Sequence, residues 1–349
     1  MPKIEILKLA FSTPLHIGSV RADYATSSAM LHSDTLYSAV MQAWSMLGKE
    51  EWIPQKGQWK DLGFTLSSLF PYTTLDNQAV YFFPKPYGFL NDQRLKDEQK
   101  PESKANKKVQ FYDSDYFFKF LKNEPVGPQY AKHVQGSFLS SKSIDAGFMQ
   151  KQVYPRVKVA RSEGEDAIPY YVERLYFKKG SGLFTIVSYE NEEARKRLRS
   201  ALNLLQDEGL GTDRHVGHGL FKLEEDTGFK LEEQLPLNTN HMLNLSLYCP
   251  ETKGSLEEMI QDENARYELV QRGGWITTYP HMNLRKKTVH MFKEGSVFRK
   301  PSAGLTAMGS TQDLAPDKES LPEATQPPQH PIWRCGKSLF IPVNVNAHA

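Results

Sequence analysis

Apolar positions along this chain fall into short alternating runs and a few helical rows, separated by long polar stretches. Residues 4–11 alternate as a strand and enter a turn at "STPLHIGS". In "SDTLYSAVMQAWSML" Leu36, Val40, Ala43 and Leu47 recur at helical spacing and share one face. Ser33 is placed to cap that helix, and Asp34 lies in its first turn, where capping and the helix dipole account for a carboxylate. "AVYFFPKPYGF" reads as a strand leaving the core at Pro84. Residues 91–108 then carry ten charges and a single leucine, the signature of a solvated loop. A short amphipathic stretch at Tyr112–Leu121 follows, and residues 123–169 are rich in Gly, Ser, Pro and Lys without helical period. Residues 85–170 therefore read as a long insertion with too few apolar residues for a core of its own.

Order returns at "YYVERLYF" and "GLFTIVSY", two strands around the turn "KKGSG". The next helix, "NEEARKRLRSALNLLQDEG", buries Ala194, Leu198, Ala201, Leu202 and Leu205. Asn191 caps its start and Gly209 ends it; Glu192–Lys196 and Glu193–Arg197 are spaced as ion pairs. "LFKLEE" is a further strand. A second unit starts near His241 with the strand "MLNLSLYC", a helix over "SLEEMIQDENARYELV", strands at "GGWITTY" and "KKTVHMFKEGSVF", a proline-rich loop at 310–331, and a closing strand "SLFIPVNV". The order strand, helix, strands, helix, strand occurs twice. The expected fold class is α+β, with two tandem ferredoxin-like units and a long inserted thumb or loop region. The expected domains are 1–235, holding the insertion at about 85–170 and a glycine-rich loop at 209–219, and 240–349.

Composition narrows the function. Forty-three basic against 41 acidic residues leave a formal charge of +2, so any anion site is a local cluster. The opening "KIEILKLAF" is too short and too charged for a signal peptide, and no apolar run is long enough for a bilayer. Cys249 and Cys335 lack metal-ligand spacing and read as reduced thiols. A cytoplasmic protein without membrane contact is expected.

The densest chemistry is "GLGTDRHVGHGLF", with Gly209, Gly211, Gly217 and Gly219 around Arg214, His215 and His218. A Rossmann fingerprint needs a glycine at 214 and a helix after the loop; here the helix comes first, and no Walker lysine is present. What fits is a nest, in which successive backbone amides line a concavity for anions and Arg214 grips a phosphate. A glycine-rich hairpin corner with Asp213 and Arg214 paired locally fits the spacing equally. Residues 146–162 hold Lys151, Arg156, Lys158 and Arg161 without an acid, with Phe148 and Tyr154 interleaved, as single-stranded nucleic-acid sites do. A second basic stretch, 285–300, suits RNA or an exposed strand edge. His16, in the turn with Gly18 after the first strand, is a candidate acid–base group for RNA cleavage or a structural contact. Neither His215 with His218 nor His281 with His290 has companions at ligand spacing, so no metal or other cofactor is expected.

The pattern G-x-G-x-D-R-x-x-G-x-G after an amphipathic helix resembles the glycine-rich loop of the RAMP proteins of CRISPR systems. "PLHIG", "LHSDTLYSAV", "YFFPKP", "YYVERLYFKKGSGLF", "RGGWI", "LRKK", "EGSVF" and "HPIWRCGKSLFIPV" resemble, in order, the family of fourth subunits of the type III-A Csm effector complex. The resemblance spans most of the chain apart from 91–135 and 310–328. It implies a non-catalytic scaffold that binds the 5′ handle of the CRISPR RNA through His16, Gly18, the 146–162 patch and the 209–219 loop. It also implies two protein partners, the large palm-domain signature subunit and a backbone RAMP subunit, and makes 85–170 the thumb. Position 215 departs from the pattern, being His where a small residue is expected. The alternative is a metal-independent RAMP endoribonuclease that processes CRISPR transcripts with His16.

Overall fold

The structure, a computed structural model, describes residues 3–18, 24–88, 108–124, 133–159, 166–237, 239–276, 279–299, 307–321 and 325–345. It is a mixed α+β fold with more strand than helix. The strands of the first two-thirds are β1 (Lys3–Phe11), β2 (Phe64–Leu66), β3 (Phe70–Leu75), β4 (Gln78–Pro84), β5 (Phe111–Asp113), β6 (Val134–Gln135), β7 (Phe138–Leu139), β8 (Met149–Lys158), β9 (Ile168–Phe177), β10 (Gly182–Tyr189) and β11 (Phe221–Asp226). The helices are α1 (Ser33–Met46), α2 (Ser114–Lys122), α3 (Glu192–Glu208), α4 (Leu231–Gln234) and α5 (Lys253–Ile260). The main sheet runs β11-β1-β10-β3-β4-β5-β7-β6, with β2 also paired to β10. β8 and β9 form a separate two-stranded hairpin.

The sheet is covered on both faces. Leu7 and Leu9 of β1 and Val187 of β10 pack with Leu36 and Val40 of α1 and with Leu198, Ala201 and Leu202 of α3. Ile6, Phe184 and Ile186 point the other way, into a cluster with Phe82, Phe83, Phe117 and Phe138. β10 lies between β1 and β3 and is buried at every position, which is why its sequence lacks polar alternation. The expected hairpin of "YYVERLYF" with "GLFTIVSY" is therefore not formed. β9 pairs with β8 instead, and the 178–181 turn merely passes the chain from one sheet to the other.

Several local expectations hold. The Asn191 side chain accepts from the Ala194 amide at 2.8 Å, and all five predicted apolar positions of α3 are buried. Arg197 pairs with Glu193, while Glu192 is bound by Arg195 rather than Lys196. Ser33 does not cap α1. His32 occupies that position, and the Ser33 hydroxyl instead accepts from the Leu247 amide at 3.0 Å. Within the inserted segment, α2 is capped by Asp113 and buries Tyr116, Phe117, Phe118, Phe120 and Leu121. These residues, with Phe111, Phe138 and Phe148, form part of the shared core rather than a polar appendage.

In the C-terminal part β12 (His241–Asn244), β13 (Leu269–Arg272), β14 (Val289–Phe292), β15 (Val297–Arg299), β16 (Ala307–Met308), β17 (Thr311–Asp313), β18 (Trp333–Cys335) and β19 (Ser338–Val343) make three sheets, the largest ordered β15-β12-β19-β16. α5 is the one α-helix among the described residues beyond 240. The helix expected through Val270 stops at Ile260, because the Asp262 side chain turns the chain by accepting from the Asn264 amide. Leu269 and Val270 then pair with β14. "GGWITTY" supplies no strand; Trp275 makes an isolated bridge to Arg285, and residues 277–278 lie outside the described residues.

Candidate nucleic-acid interface

The glycine-rich loop is built onto the turn after β1. Gly209 ends α3 at φ +80°, and the Leu210 amide donates to the Gly219 carbonyl at 2.9 Å. The Thr212 amide and hydroxyl both donate to the His16 carbonyl, and the Gly219 amide donates to the Pro14 carbonyl at 2.9 Å. A Cβ at Gly219 would stand 1.9 Å from the Leu210 carbonyl oxygen, and one at Gly211 would stand 2.4 Å from that of His16. Glycine is thus required here for close backbone approach as well as for positive φ. Gly217 has the same φ, +78°, but open space where a Cβ would be.

Asp213, in left-handed conformation at φ +58°, turns the chain into a single 3₁₀ turn at Arg214–Val216. The amides of Asp213, Arg214 and His215 donate to no acceptor among the described residues. The chain thus presents three consecutive open donors where an anion-binding nest was expected. The local Asp213–Arg214 pair does not form. Arg214 reaches α1 instead, donating to Gln42 Oε1 at 2.9 Å. Asp213 faces the hairpin, 3.1 Å from Arg156 Nη2 and 3.8 Å from Arg174 Nη2. Its buried Oδ2 lacks hydrogen-bond geometry to either.

Strand alternation divides the basic patch. Lys151 lies on one face of β8, bonded to the Ser27 carbonyl and to Glu173 Oε2 at 3.1 Å. Arg156 and Lys158 lie on the other face with Tyr154, whose ring is 5.2 Å from the Arg174 guanidinium. Lys158 is exposed, and Arg161 falls outside the described residues. Phe148 is buried in the main core and presents no ring for stacking.

His16 is only 2% exposed. Its Nδ1 donates to the Glu173 carbonyl at 2.6 Å, while its own carbonyl anchors Thr212. Gly18 is exposed at the edge of the described residues. His215 is exposed. His218 is half-buried, and its Nδ1 has no hydrogen-bond partner among the described residues; burial first, then the charge of Arg174, lowers its proton affinity. Cys249 and Cys335 are buried thiols, and burial pushes Cys335 up to about 11.

Sequence reasoning missed Arg174 and Gln42, and gave Asp213 the wrong partner. Arg174 shares a hairpin face with Arg156, a relation visible only once β8 is recognised as a strand. It also missed a cluster at the start of α1. Asp34 is fully buried and takes two hydrogen bonds from Arg272, Nε to Oδ2 at 2.8 Å and Nη2 to Oδ1 at 2.9 Å. Arg334 lies 3.6 Å from the same Oδ2 and donates to Ser38 at 3.0 Å. Helix capping is not what holds this carboxylate.

With that geometry in place, comparison with known proteins identifies the lineage. The RAMP superfamily matches residues 8–222, and the chain belongs to it. More particularly, residues 237–343 match the CRISPR Csm4 C-terminal domain. A protein described as CRISPR system Cms protein Csm4 from Methanocaldococcus jannaschii is 23% identical over 387 residues, covering 98% of each chain. One of the same description from Mycobacterium tuberculosis is 25% identical, covering 93% of each. Among solved structures, a chain of the Csm3-Csm4 subcomplex of the type III-A CRISPR-Cas interference complex superposes with a TM-score of 0.61 at 19% identity, covering 98% of this chain and 100% of that one. A chain of the Csm1-Csm4 cassette in complex with cA4 gives 0.60 at 17%, covering 99% and 100%. At such identity the structures speak for the fold. Among the described residues no helix is long and apolar enough to cross a membrane.

Proposed function

We propose that the chain is a non-catalytic scaffold subunit of a type III-A CRISPR interference complex that holds the 5′ handle of the CRISPR RNA and bridges the large signature subunit to the backbone subunits. The observation that carries the RNA reading is the row of open amides at 213–215, with the Arg214 side chain beside it and the Asp213 carboxylate of the same turn linking it to Arg156 and Arg174 of the hairpin. Amide donors with nearby guanidinium groups suit a phosphodiester chain. The bridging role draws on the similar solved structures, a Csm3-Csm4 subcomplex and a Csm1-Csm4 cassette. For the finer architecture, the order β11-β1-β10-β3 around α1 and α3 supports a ferredoxin-like N-terminal unit. A second unit, with one α-helix among its described residues, follows it, and the β8–β9 hairpin serves as the thumb.

In this reading His16 closes the groove by holding the loop. A buried imidazole whose Nδ1 is committed to a carbonyl is poorly placed to move protons on RNA, which speaks against the endoribonuclease alternative. The test is binding of handle-bearing single-stranded RNA to the purified chain across a salt series. A steep fall in affinity with salt is expected, about 0.7 in log–log slope for each phosphate neutralised. Arg214→Gln lowers both affinity and slope, and the RNA stays intact in chelator. Absence of binding at low salt, or a discrete cut lost in His16→Ala, overturns the proposal.

A further inference from the structure

The cluster at the start of α1 holds more positive charge than its carboxylate balances. Arg272 and Arg334 share Asp34, and Lys286, whose amide bonds to Gly274 two residues beyond Arg272, feels the charge of the same three groups. Glu294 adds a longer-range attraction to Arg272, but His32 and Ser68 already bind its carboxylate. The Arg334 Nε is buried and has no hydrogen-bond partner among the described residues. Burial first, then repulsion by Arg334 and Arg272 against the pull of Asp34, brings Lys286 down to about 8. Crowded cations sharing one anion are costly to an isolated fold, and a second anion relieves that cost.

The cluster and the glycine-rich loop lie along one helix. Asp34, Ser38 and Gln42 are spaced i, i+4, i+8 on α1, so they form one row that is buried at Asp34 and exposed at Gln42. Asp34 and Ser38 bind the cluster, and Gln42 binds Arg214 of the loop. Eight residues of helix separate the two ends by about 12 Å. Beside the cluster, the Lys286 amide donates to the Gly274 carbonyl at 2.8 Å, which sets Lys286 next to Trp275. Trp275 is 53% exposed, with the Arg285 guanidinium 4.9 Å from its ring. Cations that follow a helix row and end at an exposed aromatic match a single strand better than an acidic protein side chain.

We propose that Lys286 and Arg334, backed by Arg272, form a second phosphate seat for the strand held at the glycine-rich loop, with Trp275 beside it as a stacking surface. This rests on the RNA-binding reading above, and the test separates the two. The full-length chain is titrated with labelled single-stranded RNA carrying the handle, across salt and pH, as wild type and as Lys286→Gln, Lys286→Arg and Arg214→Gln. Lys286→Gln removes a crowded cation, so it is expected to melt no lower than wild type. It is also expected to bind about tenfold more weakly, with a salt slope shallower by about 0.7. Wild-type affinity falls as pH rises past about 8, because the seat needs the ammonium. Lys286→Arg stays charged and holds its affinity there. If Lys286→Gln matches wild type in affinity and slope while Arg214→Gln weakens both, the second seat is refuted and the RNA-binding reading stands. If wild type binds no RNA at low salt, that reading itself fails. If Lys286→Gln loses affinity only for a partner subunit, the seat serves an acidic protein group and the proposal is overturned.

Discussion

Asp34 illustrates how much a single buried carboxylate can hold in place. It lies in the first turn of α1, yet its partners come from β13 and β18, more than 200 residues away in sequence. Burial pushes its carboxyl up, but the charges of Arg272 and then Arg334 outweigh that and hold it well below the usual range. The depressed value fixes the sign of its pH effect. The stabilisation is present above the unfolded value of about 3.9 and is lost as pH falls toward the lower folded value. Asp34→Asn removes the charge while leaving both guanidinium groups buried, which costs about 3–5 kcal/mol. Melting temperatures measured between pH 3 and 7 should fall steeply for wild type in acid. They should start lower and change less for the variant. A variant that melts like wild type at pH 7 would mean that Asp34 does not hold the two halves together.

The loop between α3 and β11 supports a sharper comparison, because two of its glycines share a φ of +78° and differ only in surroundings. Gly217→Ala meets open space and costs only the left-handed conformation, about 1 kcal/mol. Gly219→Ala places a methyl 1.9 Å from the Leu210 carbonyl, so the loop must open and release the Gly219 contact with Pro14. Thermal shift should show a small loss for the first and a several-fold larger one for the second, with RNA affinity following the same order. The loop and α3 were legible in the sequence because their signals are local: glycine spacing, an Asn cap and a 3.6-residue apolar row. β8 was not, since Pro155 interrupts it and both its faces are largely exposed, so no buried row marks it; its pairing with β9 is a tertiary fact. Reading 146–162 as a linear patch therefore joined Lys151 to Arg156, which strand geometry puts on opposite faces. The Asp34 cluster was invisible for a related reason. "RGGWI", "LRKK" and "HPIWRC" are far apart in sequence, and only the fold brings their cations to one helix end.

The two halves of the chain share a core. Leu243, Leu245, Val297, Leu339 and Ile341 of the C-terminal part pack in the same cluster as Phe82, Phe117 and Phe138. Polar links cross the same boundary as well. Asp34 binds Arg272, Ser68 binds Glu294, and the Trp333 indole donates to the Pro54 carbonyl at 2.8 Å. Burial pushes the Glu294 carboxyl up, and His32 and Ser68 more than offset this to keep it below its ordinary value. Separating the halves would therefore expose apolar surface and strand buried charges at once, a cost neither half recovers alone. A protein built this way unfolds as one unit. Calorimetry of the intact chain should give a single transition, with calorimetric and van't Hoff enthalpies in agreement. Residues 240–349 expressed alone should lack the near-ultraviolet signal of packed aromatics. Two resolved transitions, or a C-terminal fragment that melts cooperatively, would show that the common core is a docking surface between independent domains. In the proposed RNA-binding reading, a strand held along α1, which touches both halves, would then be the clamp that joins them.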